Sequence, residues 1–192
     1  RSAAELPEVP QPDRVAAVFL PSAVYTALNA AAHTFARWPY YRKYRHHRPI
    51  NAFVHAACWV RGGVRRLWYA HRERRVLDRL STELSGRFFL VPLQVYRDYQ
   101  LTHSPYREIT EFIEHVVSTF AEHALPTDSL LLKHHPADRP YREYSSLIEA
   151  LRSRHALGDR LLYVHDLHLP TLFRHARWAI TINSTVGLSA VQ

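Results

Sequence analysis

From Arg87 onward, short apolar runs alternate with stretches in which apolar residues recur every three or four positions. Phe88-Phe89-Leu90-Val91-Pro92-Leu93 is long enough for a buried strand and too short for a buried helix. Ile109, Phe112, Ile113, Val116, Val117, Phe120 and Ala121 then form one helical stripe, behind a cap-like Ser104-Pro105. Ser129 to Lys133 reads as a second strand and Tyr144 to Ser153 as a second helix. Arg160 to Val164 and Trp178 to Ile182 read as the third and fourth strands. A short helix after Pro170 separates them, and another is expected near Ser184. Four rounds of strand and helix predict an α/β fold, a parallel Rossmann-like sheet with helices on its faces.

The preceding residues have a different texture. Residues 1–14 hold Pro7, Pro10 and Pro12 in a polar setting and read as a flexible arm or tether. Residues 15–86 read as a basic, mainly helical segment, with a stop at Trp38-Pro39 and a possible break at Gly62-Gly63. The domain organisation expected is therefore an arm over 1–14, a helical region over 15–86 and a sheet domain over 87–192.

Composition narrows the classes. At 192 residues and 47% hydrophobic content the chain can bury a core, and its 23 aromatic residues exclude disorder over the whole length. A single cysteine, Cys58, makes no internal disulfide. No apolar run approaches the ~18 residues of a spanning helix. The chain has no methionine and starts at Arg1, which reads as a fragment.

The net charge of +8 is unevenly spread. Between Arg37 and Arg79 lie twelve Lys or Arg residues against two acids, Glu73 and Asp78. Such a segment favours an anionic neighbour, whether phosphate, nucleic acid or lipid surface, or serves only as a soluble face. Arg65, Arg66 and Arg72 are the candidates for a membrane or anion face. Trp38, Tyr40, Tyr41, Tyr44, Trp59, Trp68 and Tyr69 lie among the arginines; they could stack on nucleic-acid bases but fit a helical core better.

In a parallel α/β sheet, ligands sit beyond the carboxyl ends of the strands. Polar clusters stand at three of those ends. Gln94 to Gln100 includes Asp98, a carboxylate placed to act as base or nucleophile, or simply to cap the helix behind it. Lys133-His134-His135-Pro136 joins a cation, two imidazoles and a rigid turn; it reads as a phosphate or nucleobase site, or as an ordinary turn. Asn183-Ser184-Thr185-Val186-Gly187 combines hydroxyls with an expected helix start, suited to a phosphate or to a plain helix cap. No P-loop, GxGxxG, Asp-x-Asp or GxSxG motif occurs. His46-His47 and the pair His165 and His168 lack partners at zinc spacing, so no metal is expected.

Taken together and in order, several of these pieces resemble a known family. They are Tyr44-Arg45-His46-His47-Arg48, Phe89 to Val95 with Asp98 and Gln100, Lys133-His134-His135-Pro136 with Asp138-Arg139, and Leu169-Pro170 followed by Ile182 to Ala190. The chain is similar to the capsule polysaccharide biosynthesis and export family, and most to its KpsS-type members, from about Tyr40 to Gln192. The resemblance implies the carboxyl-terminal lobe of a GT-B-type glycosyltransferase, a retaining β-Kdo transferase. Its donor substrate would be CMP-Kdo, with no other cofactor and no metal. Its acceptor would be a phosphatidylglycerol-type phospholipid or a Kdo-bearing glycolipid. The implied location is cytoplasmic, peripheral on the inner face of the bacterial inner membrane, with other capsule proteins as possible partners and no nucleic acid.

Residue by residue, the resemblance assigns His135 and Pro136 to the CMP moiety; the reading of the strand ends adds Lys133 and Asn183 as nucleotide- or phosphate-binding candidates. Ser184 and Thr185 match a hydroxyl pair near the CMP phosphate. Gln94 and Asp98 match a Gln-x-x-x-Asp motif whose Asp is the candidate catalytic carboxylate. His46 and His47 match a family signature without an assigned role. Pro140 stands where the family usually has Gly, and related proteins continue beyond Gln192. The expectation is a donor-binding part that does not turn over alone. Two rivals remain: a noncatalytic export or scaffold protein, and a basic nucleic-acid-binding module.

Overall fold

The computed structural model describes residues 21, 24–25, 27–29, 31–32, 52–96 and 98–183. The chain divides into two compact units, residues 1–64 and 65–192. The described residues of the first are helical, and Val24, Tyr25, Leu28, Val60 and Val64 are exposed there.

Helix α1 covers Ala52–Arg72 and α2 covers Arg74–Ser81. The expected break at Gly62-Gly63 is absent: α1 runs through both glycines. A glycine inside a helix costs about 1 kcal/mol, too little to end a helix of 21 residues. The interruption falls at Glu73, although bonds from Glu73 N–H to Tyr69 C=O (2.8 Å) and from Leu77 N–H to Glu73 C=O (3.0 Å) carry the helical path across it.

Four strands follow, all parallel: β1 (Phe88–Pro92), β2 (Ser129–Lys133), β3 (Leu161–Val164) and β4 (Trp178–Ala179). The order across the sheet is β3-β2-β1-β4. Leu90 pairs with Leu131 on one side and Ala179 on the other, and Leu131 pairs with Leu162. The chain steps outward from β1 through α3 (Ile109–His123) and α4 (Ser145–Arg154). It then returns through α5 (Leu169–His175) to the opposite side of β1. The order thus reverses between β1 and β4, the place where open α/β sheets form a crevice.

Alternate strand residues feed two cores, which is why β1 and the Leu130–Leu132 stretch of β2 are apolar on both faces. Val91, Leu130, Leu132 and Leu161 pack with Phe112, Ile113 and Val117 of α3 and with Ile148 and Leu151 of α4. Phe88, Leu90, Leu131 and Val164 pack with Leu80 of α2 and Leu172 of α5. Helix α2 thus supplies part of the second core of the unit that spans residues 65–192.

Two boundaries differ from expectation. Helix α3 starts at Ile109, not at Ser104. A 3₁₀ turn occupies Tyr99–His103, and the Ser104 hydroxyl is engaged locally, accepting from Tyr106 N–H (3.2 Å) and donating to Leu101 C=O (2.8 Å). Strand β4 is only two residues long. Ile180 N–H still reaches Leu90 C=O (2.8 Å), and the chain then leaves the ladder.

Candidate functional site

The crevice at the reversal is bridged by side chains. Gln94, just past β1 and 5% exposed, donates through Nε2 to Asn183 Oδ1 (3.0 Å), just past β4. Two polar clusters read separately from the sequence therefore meet. Beyond Gln94 the chain makes a tight turn, with Asp98 N–H donating to Val95 C=O (2.9 Å). Tyr96 N–H in that turn donates to Asp138 Oδ2 (2.7 Å), and the Tyr96 ring lies 4.7 Å below the Arg142 guanidinium.

The end of β2 and the loop after it place three polar residues in three environments. Lys133 has the strand parity of Leu131, so it points toward the α2–α5 face. Its buried ammonium donates to the carbonyls of His134 (3.1 Å) and His165 (2.8 Å). Burial draws its pKa down to about 8, against the opposing pull of Glu73 and Asp166. Lys133 thus bridges two loops, as an ammonium at that depth must satisfy its own hydrogen bonds. His134 is buried, with Nδ1 hydrogen-bonded to the Tyr163 hydroxyl (2.7 Å); burial, then the nearby His165, push its pKa down to about 3.

His135 is half-buried and stands at the start of a 3₁₀ turn, Pro136–Asp138. Its Nδ1 accepts from Ala137 N–H (3.1 Å). A backbone N–H can only donate, so the neutral ring carries its proton on Nε2. Burial lowers the His135 pKa, Lys133 lowers it further and Asp98 pulls it upward. Asp98 therefore stands within electrostatic reach of the His135 ring. Pro136 is exposed beside it.

Ser184 and Thr185 lie outside the described residues, as do His46 and His47; Asn183 is the last described residue of its cluster. An apolar cavity of about 510 Å³ runs from Asn183 and Ile180 over Phe89 to Phe112 and Tyr106. Among the described residues, no cluster of His, Cys, Asp and Glu is arranged to hold a metal ion.

The expected anion face is redistributed. Arg65 is half-buried, 3.6 Å from Glu143 and bonded to Arg139 C=O (3.1 Å). Arg66 lies 3.7 Å from Asp166, which also pairs with the buried Arg139. Of the three arginines named from sequence, Arg72 is the exposed one, with its guanidinium 5.0 Å from the Trp68 ring.

Sequence reasoning missed a polar cluster at the end of β3. The His165 ring is held between two carboxylates, Nδ1 at 3.0 Å from Glu73 and Nε2 at 3.1 Å from Glu143. Tyr69 stacks on that ring at 3.6 Å and donates its hydroxyl to Glu143 (2.8 Å). Burial opposes a charge on His165, yet the bonds to Glu143 and Glu73 raise its pKa overall. Burial likewise works against the Glu143 carboxylate, but bonds from His165 and Tyr69 hold it well below the usual range. The same setting pushes Tyr69 up to about 12. One signal was available: Glu73 is one of two acids among twelve basic residues.

Comparison with known proteins adds what geometry cannot. The chain is 40% identical over 191 residues to the capsule polysaccharide export protein KpsS of Escherichia coli. It is 39% identical over 153 residues to the capsule polysaccharide modification protein LipB of Neisseria meningitidis serogroup A. These matches cover 97% and 79% of the chain, but 49% of KpsS and 36% of LipB, so the chain spans about half the length of the former and less of the latter. No solved structure matches it. The match to the family described as capsule polysaccharide biosynthesis protein runs over residues 1–192 and takes in every loop that builds the crevice. On that match and the identity to KpsS, the chain belongs to the capsule polysaccharide biosynthesis protein family and is of the KpsS type.

Proposed function

We propose that this chain carries the donor site of a glycosyltransferase that moves Kdo from CMP-Kdo, with retention, onto a phosphatidylglycerol-type lipid or a Kdo-linker acceptor. The observation that carries the reading is the Gln94–Asn183 bond across the sheet reversal, with Asp98 and His135 in the adjoining loops. Departure of CMP leaves positive charge at the anomeric carbon. Asp98, partly exposed, would either bond to that carbon as the bond to the CMP phosphate breaks, or stabilise its charge. His135 would offer its Nε2–H to the nucleotide, its ring already fixed by Ala137 N–H. The names of KpsS and LipB, an export and a modification protein, support action on capsule polysaccharide. Peripheral attachment to the inner face of the inner membrane is part of the same proposal. No helix among the described residues is long and apolar enough to cross a membrane.

Calorimetric titration with CMP tests this. The parent chain binds CMP. His135→Ala weakens binding by about tenfold or more, as expected for the loss of a hydrogen bond to a charged group. In the whole protein, Asp98→Ala abolishes sugar transfer while CMP affinity stays within about twofold, as expected for a group acting mainly in the transition state. Absence of CMP binding sinks the reading. A noncatalytic export component gives no heat with CMP, and a nucleic-acid-binding module instead binds oligonucleotides with an affinity that falls steeply with salt.

A further inference from the structure

The loop after β1 and the loop after β2 are separated by more than thirty residues, yet one buried carboxylate ties them together. Asp138 is 1% exposed and lies in the 3₁₀ turn that opens at His135-Pro136. Its N–H donates to His135 C=O (3.0 Å), and its carbonyl accepts from Tyr141 N–H and Arg142 N–H, both at 2.8 Å. Asp138 is thus locked to the His135 corner by its own backbone. Its side chain reaches across instead, and Oδ2 accepts Tyr96 N–H at 2.7 Å. Tyr96 sits second in the turn that begins at Val95 and closes on Asp98. The Arg142 guanidinium over the Tyr96 ring adds a second link to the same turn, from the chain just after the 3₁₀ segment.

We infer that Asp138 is a positioning residue, a clamp that holds the turn carrying Asp98 against the corner carrying His135. A charge-assisted bond in a buried setting is among the stronger local restraints available to a loop. Without it, the Val95–Asp98 turn keeps its own hydrogen bond but loses its fixed distance to His135. Under the function proposed above, that distance separates the carboxylate acting at the sugar's reacting carbon from the imidazole that holds the nucleotide. The clamp itself is defined without any ligand, so it can be tested apart from that reading.

The test uses amide exchange at Tyr96 and the NMR titration of the His135 ring in the parent chain. In Asp138→Ala, exchange at Tyr96 N–H speeds up by about tenfold or more, as expected for losing a bond to a charged acceptor. His135 then titrates measurably lower, because the raising effect of Asp98 weakens while the lowering effect of Lys133 persists. Asp138→Asn, which keeps an oxygen acceptor, restores both. In an Asp98→Asn background, Asp138→Ala leaves His135 where it is, which a general loosening of the fold would not do. If Asp138→Ala does not fold, Tyr96→Pro removes the donor at a turn position that accepts proline, and the same His135 shift is read. Unchanged exchange and titration, or an equal His135 shift in the Asp98→Asn background, overturns the clamp. Failure of the parent to bind CMP overturns the proposed function and leaves the clamp to these readouts. Where CMP binds, Asp138→Ala in the whole protein lowers kcat more than it raises KM, and Asp138→Asn recovers most of the loss.

Discussion

Three imidazoles lie in two neighbouring loops, and their surroundings give them different proton states. His134 is buried against Tyr163 and held neutral, His135 is neutral with its proton on Nε2, and His165 is pulled toward the charged form by two carboxylates. The signs follow by linkage. A histidine whose folded pKa is depressed binds its proton more readily when unfolded, so stability falls as pH drops below about 6.5. His165, with a raised pKa, contributes stability fully below about 6.5 and loses it as pH rises through its folded value. Between pH 6.5 and 4.5 the acid-sensitive members of this trio are therefore His134 and His135. His134→Asn keeps a side chain that can donate to or accept from the Tyr163 hydroxyl and removes one titration. Urea midpoints at pH 7 and pH 5 should differ less in this variant than in the parent, whose slope from His134 alone reaches about 1.4 kcal/mol per pH unit. An equal acid loss in both proteins would remove His134 from the account.

At the level of elements, the junction of α1 and α2 is fastened to the end of β3 through one side chain. Both oxygens of Glu73 accept backbone donors, from His165 N–H (2.7 Å) and Asp166 N–H (2.9 Å), and one also faces the His165 ring. Glu73 is 5% exposed, so these groups have little water to turn to. Glu73→Ala should destabilise the chain by about 3–5 kcal/mol, the usual result of breaking one side of a buried charge pair. Glu73→Gln should cost less, because one carbonyl oxygen remains. Urea unfolding of the two variants decides this, and a loss below about 1 kcal/mol for Glu73→Ala would show that the junction is held by apolar packing instead.

Among the described residues, the arginines of the basic segment divide by the direction they face. Arg65 and Arg66 turn inward to Glu143 and Asp166, while Arg72, Arg74 and Arg75 face outward. A reversal of Arg65 would therefore test folding more than surface charge. The membrane proposal is better tested by reversing Arg72, Arg74 and Arg75 to Glu together in the whole protein. Each arginine near an anionic surface contributes about 1 kcal/mol, so affinity for vesicles rich in phosphatidylglycerol should fall more than tenfold without a shift in the unfolding midpoint. Undiminished vesicle binding would detach this face from the membrane.

Much of the fold was legible in the chain because burial is recorded locally. Phe88 to Pro92 and Leu130 to Leu132 are apolar throughout since both faces of the sheet are covered, and the stripe from Ile109 to Phe120 has the period of a helix with one buried side. Family resemblance singled out Gln94, Asp98, His135 and Pro136 as well. Strand order was not legible, because a strand does not record which neighbour it will pair with. The placing of β4 beside β1, and so the meeting of Gln94 with Asn183, came only from the tertiary structure. The same holds for Asp138 on Tyr96, Glu73 on His165 and the inward turn of Arg65 and Arg66. A hydrophobic side chain needs only an interior, and periodicity reveals that. A buried polar one needs a particular partner, which three-dimensional packing alone supplies.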